Sequence, residues 1–310
     1  MPARLNTSLR LADLSLAQVR QRLRSDGLWL RLPPFVVHVR SGIPVVAQGL
    51  HQLYANHECL DGATQGFADF HVSVNARRRW FRPLCVFEMD GFRPFTPLAY
   101  GEAYAFLEWG LNWCVTSYCH TLLTIHSAVL EKNGRVLLMP APPGSGKSTL
   151  CAALMFNGWR LLSDEMALLD PDSGLVVPAP RPVSLKNRSI EVVRQRWPRA
   201  VLGPVAKDTM KGTVAHVRTS AESLSRAHER ALPAWLVFPK YQAGESLQVR
   251  RHAKPDALVQ LASNSFNQHV HGRRGFEALA ALVDRCDCHD LSYGDLDQAM
   301  AWFDALELPS

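Results

Sequence analysis

The sequence predicts an α/β protein preceded by a β-rich region. Three observations predict it. From about residue 98, apolar strand-like runs alternate with runs of helical spacing. A glycine-rich loop, "APPGSGKSTL", sits between one of those strands and one of those helices. Before residue 98 the runs are short, rich in Val, Phe and Leu, and separated by Gly, Pro and Asn/Asp turns. The expected boundary divides a β-rich accessory region, 1–97, from a second domain, 98–310.

In the first region, "DLSLAQVRQRLRSDG" reads as a helix. It has Asp13 or Ser15 as N-cap, Leu16, Val19 and Leu23 at helical spacing, and Gly27 as its stop. "LWLRL", "FVVHVR", "FHVSV" and "CVFEM" read as strands. Arg77-Arg78-Arg79 follows one of them and reads as a solvated strand end. In the second region, "AYAFLEWGLNWCVTSYCHTLLTI" is the one membrane suspect, but Glu108, Asn112 and His120 are costly in a bilayer. It reads as a buried helix followed by a strand. Then come strand "TIHSAVLEK", turn Asn133-Gly134, strand "RVLLMPA", the loop, and a helix from Lys147 to about Asn157. "WRLLSDEMALL" reads as one strand, "DPDSG" as a hairpin turn and "LVVPAP" as the returning strand. A strand at "AWLVFPKY" and helices at "DALVQLASNSF", "GFEALAALVDRC" and "GDLDQAMAWFDAL" complete the chain.

Composition excludes little. Net charge is +6, a modest basic excess that suits an anionic ligand, and no dense Lys/Arg block argues for nucleic acid. No export signal is legible at the N-terminus. Seven cysteines, an odd number without a CxxC pair, favour a reducing cytoplasm. Cys286-Asp287-Cys288-His289 has the residue types of a metal site, but ligands this close rarely reach tetrahedral geometry and no partner pair is evident.

The loop carries the chemistry. A phosphate loop asks for Gly, four residues, then Gly-Lys-Ser/Thr; here Ala141 replaces the first glycine. Pro143, Gly144, Ser145, Gly146, Lys147, Ser148 and Thr149 form the expected nucleotide cradle. Gly144 and Gly146 let backbone N–H groups turn inward. Lys147 can reach the β and γ phosphates, and Ser148 can ligate Mg²⁺. Asp164 and Glu165 follow the strand after the loop helix, where carboxylates can ligate Mg²⁺ or take a proton from an attacking hydroxyl. His126 lies in the strand before the loop strand. A lone histidine in an apolar strand is more often core than catalytic. Ser148, Asp164 and Glu165 are the metal candidates, and Arg181, Lys186 and Lys211 are candidates to brace phosphate charge.

These residues resemble a known family. "IHSAVLEKNGRVLLMPAPPGSGKSTLCAALMFNGWRLLSDE" resembles the catalytic core of HPr kinase/phosphorylase. "EWGLNW", "PGSGKSTL", "GWRLLSDE", "RPVSLKNRSI", "TMKG" and the Phe-Pro-Lys-Tyr run make nearly the whole chain similar to the bacterial group called HprK-related kinase A. The resemblance implies that 98–310 is a catalytic domain with a P-loop kinase core of the HPr kinase and phosphoenolpyruvate carboxykinase type, a mixed sheet with flanking helices. It places His126 near the phosphates, Lys147 and Ser148 at the nucleotide and Mg²⁺, and Asp164 as the base. Glu165 stands where the family usually has a second aspartate. The family's glycine-rich phosphorylase segment has no counterpart, and "PRPVSLKNRSIEVV" stands in its place, so kinase activity without efficient reversal is expected.

The function expected is an ATP- and Mg²⁺-dependent kinase acting on a hydroxyl, serine by resemblance, of a small protein or peptide. The alternatives are a nucleotide-dependent switch or assembly ATPase, a small-molecule kinase, and a pseudo-kinase that only binds. An oligomer is possible under any of them.

Overall fold

The computed structural model describes residues 9–60, 67–77, 81–142 and 144–307. Among the described residues the architecture is mixed α/β, with four sheets and no barrel. The chain packs as two compact units, one from the described residues through Cys114 with Val201–Arg218, the other from Val115–Ala200 with the described residues from Thr219 onward.

The first unit is built on a seven-stranded sheet. Its strands are β1 (Leu9–Arg10), β2 (Leu28–Leu32), β3 (Phe35–Arg40), β4 (Glu58–Leu60), β5 (Phe70–Arg77), β6 (Leu84–Met89) and β7 (Leu98–Ala99). They lie in the order β1-β4-β2-β3-β5-β6-β7, and only β3 and β5 run parallel. All four expected strand runs are strands. Helix α1 (Leu16–Arg24) starts at Ser15, whose hydroxyl accepts from the Gln18 N–H while the Gln18 side chain returns to the Ser15 N–H. Helix α2 (Pro44–Leu53), absent from the sequence-based expectation, buries Val46, Leu50 and Leu53.

The suspected membrane segment is helix α3 (Ala103–Tyr118) followed by strand β8 (Leu123–His126). Glu108 is buried and accepts from the hydroxyls of Tyr54 at 2.8 Å and Tyr104 at 2.5 Å, which explains a carboxylate in so apolar a helix. No helix among the described residues is long and apolar enough to cross a membrane.

The second unit contains the loop. Its main strands are β9 (Ala128–Lys132), β10 (Arg135–Met139), β11 (Arg160–Ser163), β12 (Met166–Leu169), β13 (Val176–Val177) and β14 (Val183–Lys186). After β15 (Ala206–Thr209) and β16 (Gly212–Val217), which form a hairpin in the first unit, come β17 (Leu232–Tyr241), β18 (Gln248–Arg251) and β19 (Asp287–Tyr293). A six-stranded sheet has the order β11-β9-β10-β17-β19-β18, with β10, β17 and β19 parallel. A three-stranded sheet has the order β13-β12-β8. Helix α4 (Lys147–Phe156) ends at Asn157 as expected and packs against β9 and β14.

After α5 (Arg188–Arg196) and the short α6 (Ala221–Ser225) come α7 (Lys254–Ser263), α8 (Gln268–Arg285) and α9 (Leu296–Asp304). Leu261, Leu279 and Val283 from α7 and α8 join Val129, Val136, Leu138 and Leu236 in one apolar core.

Two expectations need correction. "TIHSAVLEK" and "WRLLSDEMALL" each read as one strand in the sequence, but each splits between the two sheets. The first breaks at Ser127 and the second at Asp164-Glu165. A bulge at Leu162 explains the break: Leu161 faces Leu130 and Ser163 faces Val129, so β11 carries one extra residue and its twist increases. The pairing resumes in the other sheet, with Met166 facing His126. "CDCH" lies at the start of β19, where Cys286 and Cys288 are buried.

Candidate functional site

The split strands place the two carboxylates at the seam between the sheets. Ser163 is the last residue in one ladder and Met166 the first in the other, leaving Asp164 and Glu165 between them. The seam is closed by the Ser127 N–H, which donates to the Glu165 carbonyl at 3.2 Å. Asp164 is buried and Glu165 partly exposed.

The loop meets this seam from β10. Gly144 and Gly146 have φ of +89° and +84°, conformations L side chains rarely adopt. At Gly146 space also forbids a side chain, since a Cβ would lie 2.6 Å from the Tyr293 hydroxyl and 2.7 Å from the Tyr241 Cβ. Those tyrosines close β19 and β17. The Tyr241 N–H donates to the Ser145 carbonyl at 2.9 Å, and the Tyr293 hydroxyl donates to the Gly146 carbonyl at 3.3 Å. The loop is thus clamped through two of its carbonyls. The Ser145 hydroxyl oxygen is buried and has no hydrogen-bond partner, an unusual state for such a group.

Lys147, the first residue of α4, is buried, and its Nζ lies 2.9 Å from Nε2 of His126. An ammonium only donates, so Nε2 accepts; the proton then sits on Nδ1, which donates to the Glu165 carbonyl at 3.0 Å. This is a neutral imidazole with a defined tautomer. Burial, then the Lys147 charge, holds the His126 pKa below its ordinary value, which agrees with the neutral form. Burial also lowers the Lys147 pKa, against the pull of Glu165 and Asp164. The His126 ring also meets Phe266 edge-on, with centroids 6.0 Å apart. Phe266 is held there by its N–H on the Thr124 carbonyl, yet remains 43% exposed.

Burial, and then the Glu165 charge, raises the Asp164 pKa to about 7. The Ser184 N–H, donating to Oδ2 at 2.8 Å, and the charges of Lys147 and Arg181 oppose that rise. A carboxylate poised near neutrality beside a buried cation can accept a proton at physiological pH.

No protein-family model matches this chain, and no curated protein matches it.

Of the expected residues, the structure brings His126, Lys147, Asp164 and Glu165 together, with Gly144, Ser145 and Gly146 in the loop beside them. Ser148 and Thr149 are half-buried in the first turn of α4. Pro143, Arg78 and Arg79 lie outside the described residues. Arg181, just before β14, and Lys186, its last residue, act electrostatically on Asp164 and on Lys147, respectively. Lys211 belongs to the first unit, between β15 and β16, with its Nζ 5.1 Å from the centre of the Trp109 ring. Among the described residues no group of three or more His, Cys, Asp and Glu is arranged to hold a metal ion. Ser184, Tyr241, Tyr293 and Phe266 are site residues to which the sequence assigns no role. The alternation after Pro182 is the available signal for Ser184 and the Phe-Pro-Lys-Tyr run for Tyr241, while nothing local marks Tyr293.

Proposed function

We propose that the chain is an ATP-dependent kinase, with a P-loop core of the HPr kinase type, that moves the γ-phosphate of ATP to a hydroxyl. By resemblance the acceptor is a serine of a small protein or peptide. The observation that carries the reading is Asp164, a buried carboxylate with a pKa near 7, set at the seam beside the loop lysine. Seven free, buried cysteines agree with action in a reducing cytoplasm.

The residues fit the nucleotide and its cation. The orphaned Ser145 hydroxyl, buried in the loop, is a donor suited to a phosphate oxygen. Magnesium takes oxygen ligands, and the Ser148 hydroxyl with the Asp164 and Glu165 carboxylates supplies that donor chemistry. When bound, the ion would neutralise charge on the phosphate oxygens. Lys147 has three N–H donors and commits one to His126, leaving two for phosphate oxygens. Arg181 and Lys186 add positive charge on the β14 side. Asp164 takes the acceptor hydroxyl's proton as the new O–P bond forms and the bond from the γ-phosphorus to the ADP oxygen breaks. Because Oδ2 is engaged by the Ser184 N–H, Oδ1 is the oxygen for that proton.

The test is transfer of labelled γ-phosphate from ATP in an extract of the source cells, or with small proteins encoded nearby. A labelled product lost in both Asp164→Asn and Lys147→Ala supports the kinase. Inorganic phosphate released with no labelled product supports a nucleotide switch instead.

A further inference from the structure

We propose that Tyr241 forms the base-binding end of the loop site, its ring stacking on the purine of the bound nucleoside triphosphate. The proposal rests on the nucleotide reading above and adds to it a subsite and a mode of recognition.

Topology supplies the direction. Strands β10, β17 and β19 are neighbours and parallel, so their carboxyl ends line one edge of the sheet. Ligands of sheets with parallel strands lie outside such an edge. The loop leaves the end of β10. On one side of β10 lie β9 and β11, with Asp164 just beyond the end of β11. On the other side β17 and β19 end at Tyr241 and Tyr293. A triphosphate lying along the loop with its terminal phosphate at Lys147 and Asp164 therefore directs its nucleoside toward the two tyrosines.

The two rings differ in a telling way. Tyr293 is 1% exposed, with its hydroxyl on the Gly146 carbonyl, so it serves the loop itself. Tyr241 is 39% exposed. Its main chain is pinned by its own N–H on the Ser145 carbonyl and by the Gln242 N–H on the Tyr293 carbonyl, both at 2.9 Å. Its ring is steadied by an edge contact with Tyr293, with centroids 5.5 Å apart. This is an aromatic platform, rigid at its root and open to solvent, fixed to the phosphate loop. A π-face recognises a base by area rather than by hydrogen bonds, so it favours purines and distinguishes poorly between adenine and guanine.

The test compares the affinities of the full chain for Mg·ATP and for Mg·tripolyphosphate, which has the phosphates and no base. The expected result is that Tyr241→Ala weakens ATP roughly tenfold or more and leaves tripolyphosphate unchanged, while Tyr241→Phe and Tyr241→Trp retain ATP binding. The unchanged tripolyphosphate affinity would also show the variant's loop to be intact. Equal losses for both ligands, or no loss of ATP affinity, would overturn the platform while leaving the phosphate site standing. Failure of the wild-type chain to bind either ligand would instead remove the nucleotide reading, and the platform with it.

Discussion

The Lys147 ammonium nitrogen lies 2.9 Å from Nε2 of His126, so the loop lysine's hydrogen-bond partner is a neutral histidine. The pair is self-consistent only while both partners are present. His126→Leu leaves a buried ammonium without that acceptor, and an expected loss of about 1–3 kcal/mol follows. Lys147→Met in the same background should restore part of it. A urea-unfolding double-mutant cycle measures the coupling, expected at about 0.5–3 kcal/mol. Additive single effects would mean that the pair contributes nothing to folding.

Asp164 gives a pH signature. Its pKa rises from 3.8 to about 7 on folding, so the folded chain binds the proton more tightly than the unfolded one. Stability therefore falls as pH rises between those two values, by about 1.4 kcal/mol per pH unit, and is flat above the upper one. Asp164→Asn, which keeps an oxygen for the Ser184 N–H, should raise the melting temperature at pH 8 and leave it unchanged at pH 4. The same variant should lose phosphoryl transfer by about 10²-fold or more.

The two loop glycines should respond differently to alanine. Gly144 has open space around its missing Cβ, so Gly144→Ala costs only the left-handed backbone penalty of about 1–2 kcal/mol. Gly146→Ala adds the collision with Tyr241 and Tyr293 and should abolish nucleotide binding. Calorimetric titration of both variants with Mg·ATP separates the two costs.

Away from the site, Arg160 and Glu131 form an ion pair whose side chains are each 2% exposed. Arg160 also donates to the carbonyls of Arg226 at 2.7 Å and Glu229 at 3.0 Å, tying β11 to the segment before β17. Glu131→Ala strands a buried guanidinium and should destabilise the chain by about 3–5 kcal/mol, measured by urea unfolding.

Sequence alone locates the loop, α4, β10 and both acidic residues, because glycine spacing, a helix-forming run and strand alternation are local signals. It does not show that His126 meets Lys147, 21 residues later, since that contact needs β8 and β9 to part company at Ser127. The bulge at Leu162 is equally hidden: "RLLS" has one leucine on each face and all four residues are buried, so alternation offers no register to count. Ser184 and the two tyrosines act mainly through backbone N–H groups, strand ends and a hydroxyl on a carbonyl. Those are properties of position in the fold, and residue type encodes them weakly.

The exchange of strands between the sheets at Ser127 and at Asp164-Glu165 makes chain length there as restrictive as chemistry. One residue inserted between Glu165 and Met166 would turn β12 over, sending Met166 and Leu168 to the faces now filled by Ala167 and Leu169, all four of them buried. The same insertion within 170–174 would only enlarge a hairpin turn. Insertions and deletions should therefore be tolerated at that turn and excluded from the eight residues Arg160–Ala167, whatever substitutions those residues accept.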